Sequence, residues 1–159
     1  MWELTPLTAI LSDKPIFTVH AELGGILDLG ATPYGHRRII DILGGTVRGE
    51  RLNGRVLTGG ADWQFIRADG VADIQARYTI ESDAGARILV SSEGLRHGPK
   101  EVLERVMRGE TVDPAQYYFR TVMRFETSDP AVAWMNRILA IARGQREARA
   151  ARLDVFEVL

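Results

Sequence analysis

The chain has 159 residues, 45% of them hydrophobic and 26% charged, the composition of an ordinary globular protein rather than a disordered one. Its 20 Lys and Arg nearly balance 21 Asp and Glu, and a formal net charge of -1 removes the electrostatic drive that binding to nucleic acid or an anionic membrane needs. Cysteine is absent, which excludes disulfides, Cys-ligated zinc, iron–sulfur clusters and a thiol nucleophile.

The opening residues Met1-Trp2-Glu3-Leu4-Thr5-Pro6 carry no basic stretch leading into an apolar run. No export signal is read there, and a cytoplasmic location is expected. No run of ~18 apolar residues occurs, so neither a spanning helix nor a membrane partner is expected. From residue 16 the chain alternates with a period of two. Over 16–23, Phe17, Val19, Ala21 and Leu23 fall on one side of a strand. Residues 29–38 read as a glycine-bounded loop carrying Tyr34, His36, Arg37 and Arg38. Strands are expected over 37–47, 51–57 and 62–67. Over 72–81, apolar Ala72, Ile74, Ala76, Tyr78 and Ile80 alternate with polar neighbours, the pattern of a half-buried antiparallel strand. Residues 86–92 make another, followed by a glycine-bounded stretch over 92–98.

One segment breaks the period. Pro99 suits a first helical position, and Val102, Leu103, Val106 and Met107 share a helical face before Gly109. The alternation resumes over 117–127, 133–142 and 152–158. Gly44-Gly45, Gly59-Gly60, Asp69-Gly70, Asp83-Ala84-Gly85 and Ser128-Asp129-Pro130 supply turns between the runs. The result is an all-β antiparallel meander of about nine strands with one short helix. A meander of this length closes or splits into two layers. A single domain over 1–159 is therefore expected, forming a β-barrel of about eight to nine strands, lipocalin-like in general shape, with a β-sandwich as the alternative.

His20, His36 and His97 lie in separate segments, and no H-E-x-x-H, calcium-loop or G-x-S-x-G motif occurs. The paired glycines precede strands rather than helices, so they read as turns and not as a phosphate cradle. No metal and no cofactor are expected. Polar and aromatic side chains inside strand-like runs point instead to a wet interior. The candidates are Tyr34, Arg38, Asp62, Gln64, Tyr78, Arg96, Tyr118, Arg120 and Asn136. Strand parity groups them into rows but leaves open which row faces inward, since exchanging the faces exchanges every side chain at once. The plain alternative is that such rows are solvated, with Arg37, Arg38 and Arg96 paired to Glu22, Asp28 or Glu93.

Several strings carry a family likeness. They are Thr32-Pro33-Tyr34-Gly35, Arg37-Arg38-Ile39, Gly59-Gly60-Ala61-Asp62-Trp63-Gln64, Ala76-Arg77-Tyr78, Gly94-Leu95-Arg96-His97-Gly98, Tyr117-Tyr118-Phe119-Arg120-Thr121, Phe125-Glu126-Thr127 and Trp134-Met135-Asn136. In this order they resemble the uncharacterised protein family 0311, also catalogued as domain of unknown function 3237, over nearly the whole chain. The chain departs from the family pattern at Asp41 and Met123, where proline is associated with it, and at Ser92, where asparagine is. The resemblance implies a single-domain, mainly bacterial β-barrel and transfers no catalytic residue.

Three functions follow as expectations. The first is a barrel that binds a small, partly apolar acid or carbonyl compound. The second is a cofactor-independent isomerase, cyclase or lyase acting on an enolisable substrate. In that case Asp62 shuttles the proton, Tyr34, Tyr78 or Tyr118 donates to an oxyanion, and Arg38 or Arg120 holds a carboxylate. The third is a structural homodimer with no ligand. The expected partner is a small molecule, and the expected state a monomer or homodimer.

Overall fold

Nine strands succeed one another in this computed structural model, which describes residues 10–159. The Met1–Pro6 stretch lies outside the described residues. The strands are β1 (Phe17–Thr32), β2 (Gly35–Arg48), β3 (Gly54–Val56), β4 (Gly60–Ile66), β5 (Ala72–Ser82), β6 (Arg87–His97), β7 (Tyr118–Glu126), β8 (Leu139–Arg146) and β9 (Ala150–Val158). Helix α1 (Lys100–Met107) joins β6 to β7. Every pairing is antiparallel, and the ladder runs β1, β2, β4, β5, β6, β7, β8, β9 and back to β1. This is a closed ring of eight. The extra strand β3 fits below β4 in the same gap, pairing with β2 at Gly45–Val47 and with β5 at Ile80–Ser82.

Ring closure has a sequence cause. The apolar positions of each strand recur every second residue, so all of them bury on one face only if the sheet curls around that face. Phe17, Val19, Val47, Ile80, Ile88 and Val90 fill one end, each completely or almost completely buried. The Phe17 and Phe125 rings meet edge to face at 5.9 Å. Burying each such side chain contributes roughly 1.5–3 kcal/mol, so this end is a solid core. Tight turning needs a special residue at Gly45. There φ is +142°, and a Cβ would lie 2.0 Å from the His20 carbonyl oxygen, so no other residue fits without parting β1 from β2.

The two ends are plugged differently. Asp129 accepts a hydrogen bond from the Ala131 amide (2.9 Å) and Pro130 fixes the first φ, which starts 3-10 turns over Pro130–Arg137. Val132 and Met135 from this segment seal the apolar end. The expected strand over 133–142 is thus corrected: helical turns occupy its first half and β8 begins at Leu139. At the opposite end α1 lies over the mouth, with Val106 buried, Val102 and Leu103 packed on the core and Met107 half exposed. The expected loops over 29–38 and 92–98 are mostly strand, since β1 and β2 run on to a tight turn at Pro33-Tyr34 and β6 continues to His97.

Candidate functional site

The inward rows change character toward the α1 end. On β4, Gln64 is fully buried while Trp63 lies on the outer face; on β6, Ser92 and Arg96 continue the row of Ile88 and Val90; on β7, Thr121 continues that of Met123. Polar side chains therefore reach a cavity of about 50 Å³ in the half of the barrel next to the helix, whose wall is otherwise apolar, with Ile40, Ile42, Ile74 and Leu153 among its residues. A single water needs roughly 10–15 Å³ by this measure, so the space suits a small polar group and a few carbons.

Asp62 sits where two strands part. β4 and β5 pair at Asp62↔Ala76 and again at Phe65↔Asp73, with the ladder interrupted between. Asp62 Oδ1 accepts from the Gln75 amide at 2.9 Å, and Arg37 Nη1 donates to the Trp63 carbonyl at 2.6 Å, so side chains satisfy the freed backbone groups. Asp62 Oδ2 accepts from Gln64 Nε2 at 3.0 Å, and Gln64 Oε1 accepts from Arg38 Nη2. Burial raises the Asp62 carboxyl above its ordinary value, against the pull of the Gln75 and Gln64 hydrogen bonds and of Arg96 and Arg38.

Positive charge dominates around it. Arg96 is 7% exposed, and its side chain makes no hydrogen bond or ion pair to any described residue; its guanidinium lies over the Phe119 ring at 5.6 Å. Burial, with Arg146 nearby, pushes its pKa down to about 10. Arg146 donates to the Ala150 and Glu147 carbonyls, and its amide donates to Tyr117 Oη at 2.9 Å. Burial also lowers Arg38 and Arg146. Three guanidiniums thus share this end with the buried carboxyl of Asp62. The hydroxyls of Tyr78, Ser92 and Thr121 are buried beside the cavity without a partner, and burial pushes the Tyr78 phenol well up, so it stays protonated.

Of the residues singled out from the sequence, the fold brings together Arg38, Asp62, Gln64, Tyr78 and Arg96 and separates the rest. Tyr34 is 87% exposed on the β1–β2 turn. Tyr118 lies on the outer face of β7, stacked on His97 at 4.9 Å, with Arg120 beside its ring at 5.5 Å. Asn136 binds the Thr127 backbone, accepting from its amide at 2.8 Å and donating to its carbonyl at 2.9 Å. These four do not line the cavity. The suggested ion pairs of Arg37, Arg38 and Arg96 with Glu22, Asp28 or Glu93 do not form, and Asp28 pairs with His36 instead. Sequence reasoning missed Ser92, Thr121 and Arg146 as lining residues. The signal was parity: Val90 sets the inward face for Ser92, Met123 for Thr121, and Ala140, Ala142 and Gly144 for Arg146.

Fold and site together define a class, a closed antiparallel barrel with an apolar floor and a polar, cation-rich chamber under a helix. The chain belongs to the family described as a protein of unknown function (DUF3237), whose pattern matches residues 12–158. A UPF0311 protein of Rhodopseudomonas palustris is 42% identical over 153 residues, covering 96% of this chain and all of the relative. The crystal structure of a conserved protein of unknown function from the same organism matches with a TM-score of 0.87 at 42% identity, covering 98% of this chain and 100% of that one. A β-barrel-like protein of Acinetobacter baumannii matches at 0.82 with 37% identity over 99% of each chain. An enzyme from Penicillium herquei shares the fold at 0.66 with 19% identity, over 91% of this chain and 92% of that one.

Proposed function

We propose that the barrel binds one small, partly apolar acid or carbonyl compound in the chamber beneath α1. The observation that carries this reading is the group of buried hydroxyls, on Tyr78, Ser92 and Thr121, that face one cavity without a partner. Leaving a polar group buried and unpaired costs about 1–3 kcal/mol, and a ligand oxygen can remove that cost. Ile74, Ala76 and Leu153 line the same cavity and fit the apolar part. The test is a thermal-shift screen against small acids, ketones and aldehydes. Ligand at about 100 times its dissociation constant should add roughly 2.7 kcal/mol of stability. A panel in which no compound shifts the midpoint would overturn the reading.

A second reading, a cofactor-independent isomerase, cyclase or lyase, is favoured by Asp62. A carboxyl raised by burial is a better proton acceptor and donor near neutrality than an exposed one, and the protonated Tyr78 phenol is a donor for a developing oxyanion. Asp62→Asn separates the two readings. A binding protein keeps its ligand, whereas an enzyme loses turnover of that ligand by a factor of about 100 or more.

A further inference from the structure

Past Glu22 the barrel wall is no longer continuous. β1 and β9 pair only from Phe17↔Val155 to Glu22↔Ala150, after which β1 bulges at Gly24 and Gly25 and follows β2 alone. The Leu23 amide still bonds the Arg149 carbonyl at 2.8 Å, and beyond that point a side opening lies between β1, the β8–β9 turn and α1. This opening leads into a groove of about 530 Å³, lined by Leu23, Ile26, Leu43, Val106 and Met107 with Arg146 and Arg149. Leu23 and Arg146 line the inner cavity as well, so these two side chains are all that stands between the two spaces at this point. The chamber holds little more than a head group, while the groove is about ten times larger and combines aliphatic side chains with polar backbone and two arginines.

We infer that the ligand is a monocarboxylate amphiphile, with its head on Arg96 inside the barrel and an extended apolar tail leaving through the β1–β9 opening into the groove beneath α1. This rests on the proposed binding chamber and deepens it in two ways. The unpaired Arg96 selects an acid over a neutral carbonyl compound, because an anion is what a buried, unpartnered guanidinium lacks. Arg38 and Arg146 add to the positive field, and Asp62 opposes it from inside the barrel, with Asp28 acting on Arg38 and Glu147 on Arg146. The partly exposed Ile26, Leu43 and Met107 become the tail's contact surface. The smaller opening on the far side of α1, about 190 Å³ and lined by Arg38 and Arg96 with Ile66, Leu103, Val106 and Met107, offers only about a third of the groove's volume to a tail.

The test is calorimetric titration of the full chain with straight-chain acids from butanoate to dodecanoate and with the matched alcohols. Expected are acids binding at least about tenfold tighter than alcohols and a gain of up to about fourfold for each added methylene. Arg96→Met should abolish the preference for acids while raising the thermal midpoint of the ligand-free protein, since it removes an uncompensated buried charge. The exposed pair Leu43→Asn and Met107→Gln should flatten the chain-length gain. Alcohols binding as well as acids, or acids binding with no chain-length gain, overturn this inference and leave the chamber reading standing. No binding by any of these acids overturns this inference, and the chamber reading falls with it only if the ketones and aldehydes of the thermal-shift screen also fail to bind. An Arg96→Met protein with a lowered midpoint and an intact acid preference shows Arg96 to be a packing residue and overturns its role as anchor.

Discussion

Asp62 carries two duties that pull on its protonation in opposite directions. Its hydrogen bonds to Gln75 and Gln64 favour the carboxylate, and burial, the larger effect, favours the acid. An acid whose folded pKa is raised contributes most to stability below its ordinary value of 3.8 and loses that contribution as pH rises through the raised value. Asp62→Asn removes the titration. Denaturant unfolding of both proteins between about pH 3 and pH 7 should therefore show the variant gaining on the wild type as pH rises. A constant difference, or one moving toward the wild type, would refute the burial argument. Gly144 is a second sensitive position. A Cβ there would lie 2.5 Å from Phe119 Cγ, and Phe119 is the ring that supports Arg96. Gly144→Ala should cost about 1–3 kcal/mol of stability, measurable by urea unfolding, because the ring is held between the new methyl and the guanidinium. At this scale the sequence named Arg38, Asp62, Gln64, Tyr78 and Arg96 because polar residues interrupt otherwise apolar rows. Tyr118 and Arg120 misled because their outward row is as rich in polar aromatics as an inward one, and composition alone does not orient a strand.

Among the elements, the β1–β9–β8 seam depends on Asp154. Its carboxylate accepts from Thr18 on β1 at 3.0 Å, Arg143 on β8 at 3.2 Å and its β9 neighbour Arg152 at 3.2 Å. Burial raises this carboxyl, but the hydrogen bonds from Arg143 and Thr18 and the charge of Arg152 outweigh it, so its net displacement is downward. A lowered folded pKa means stability that is present above 3.8 and is lost as pH falls through the lowered value. Asp154→Asn should destabilise by about 1–2 kcal/mol at neutral pH, with the deficit shrinking in acid, as unfolding curves at both pH values would reveal. Elements with strict alternation, such as β5 and β7, were legible in the sequence. The segment over 130–137 was not, because Trp134 and Asn136 alternate while the buried positions are Val132 and Met135. A spacing of three is that of a 3-10 turn, and the Asp129-Pro130 start was the sign of it.

For the whole molecule, closure was foreseeable because a long meander must hide its edges. The split of the interior into a dry floor and a charged chamber was not, since it depends on which face of every strand turns inward. Closure also sets the kinetics. Thr18 and Asp154 are 136 residues apart, so the final seam forms only after a long loop is drawn together. Refolding should take milliseconds to seconds, the range of proteins dominated by distant contacts. If the seam forms last, Asp154→Asn should speed unfolding and leave the refolding rate nearly unchanged in stopped-flow measurements. Slowed refolding with unaltered unfolding would place the seam in the nucleus instead.

Ile10 and Leu159 are neighbours, with the Leu159 amide donating to the Ile10 carbonyl at 2.5 Å beside the Leu11–Val158 bridge. A short Gly-Ser spacer tying these positions together, with new termini cut at Ala84 in the tight bend between β5 and β6, would give a circular permutant. It would hold the same cyclic order of staves, since a cut in that bend leaves every pairing among the described strands intact.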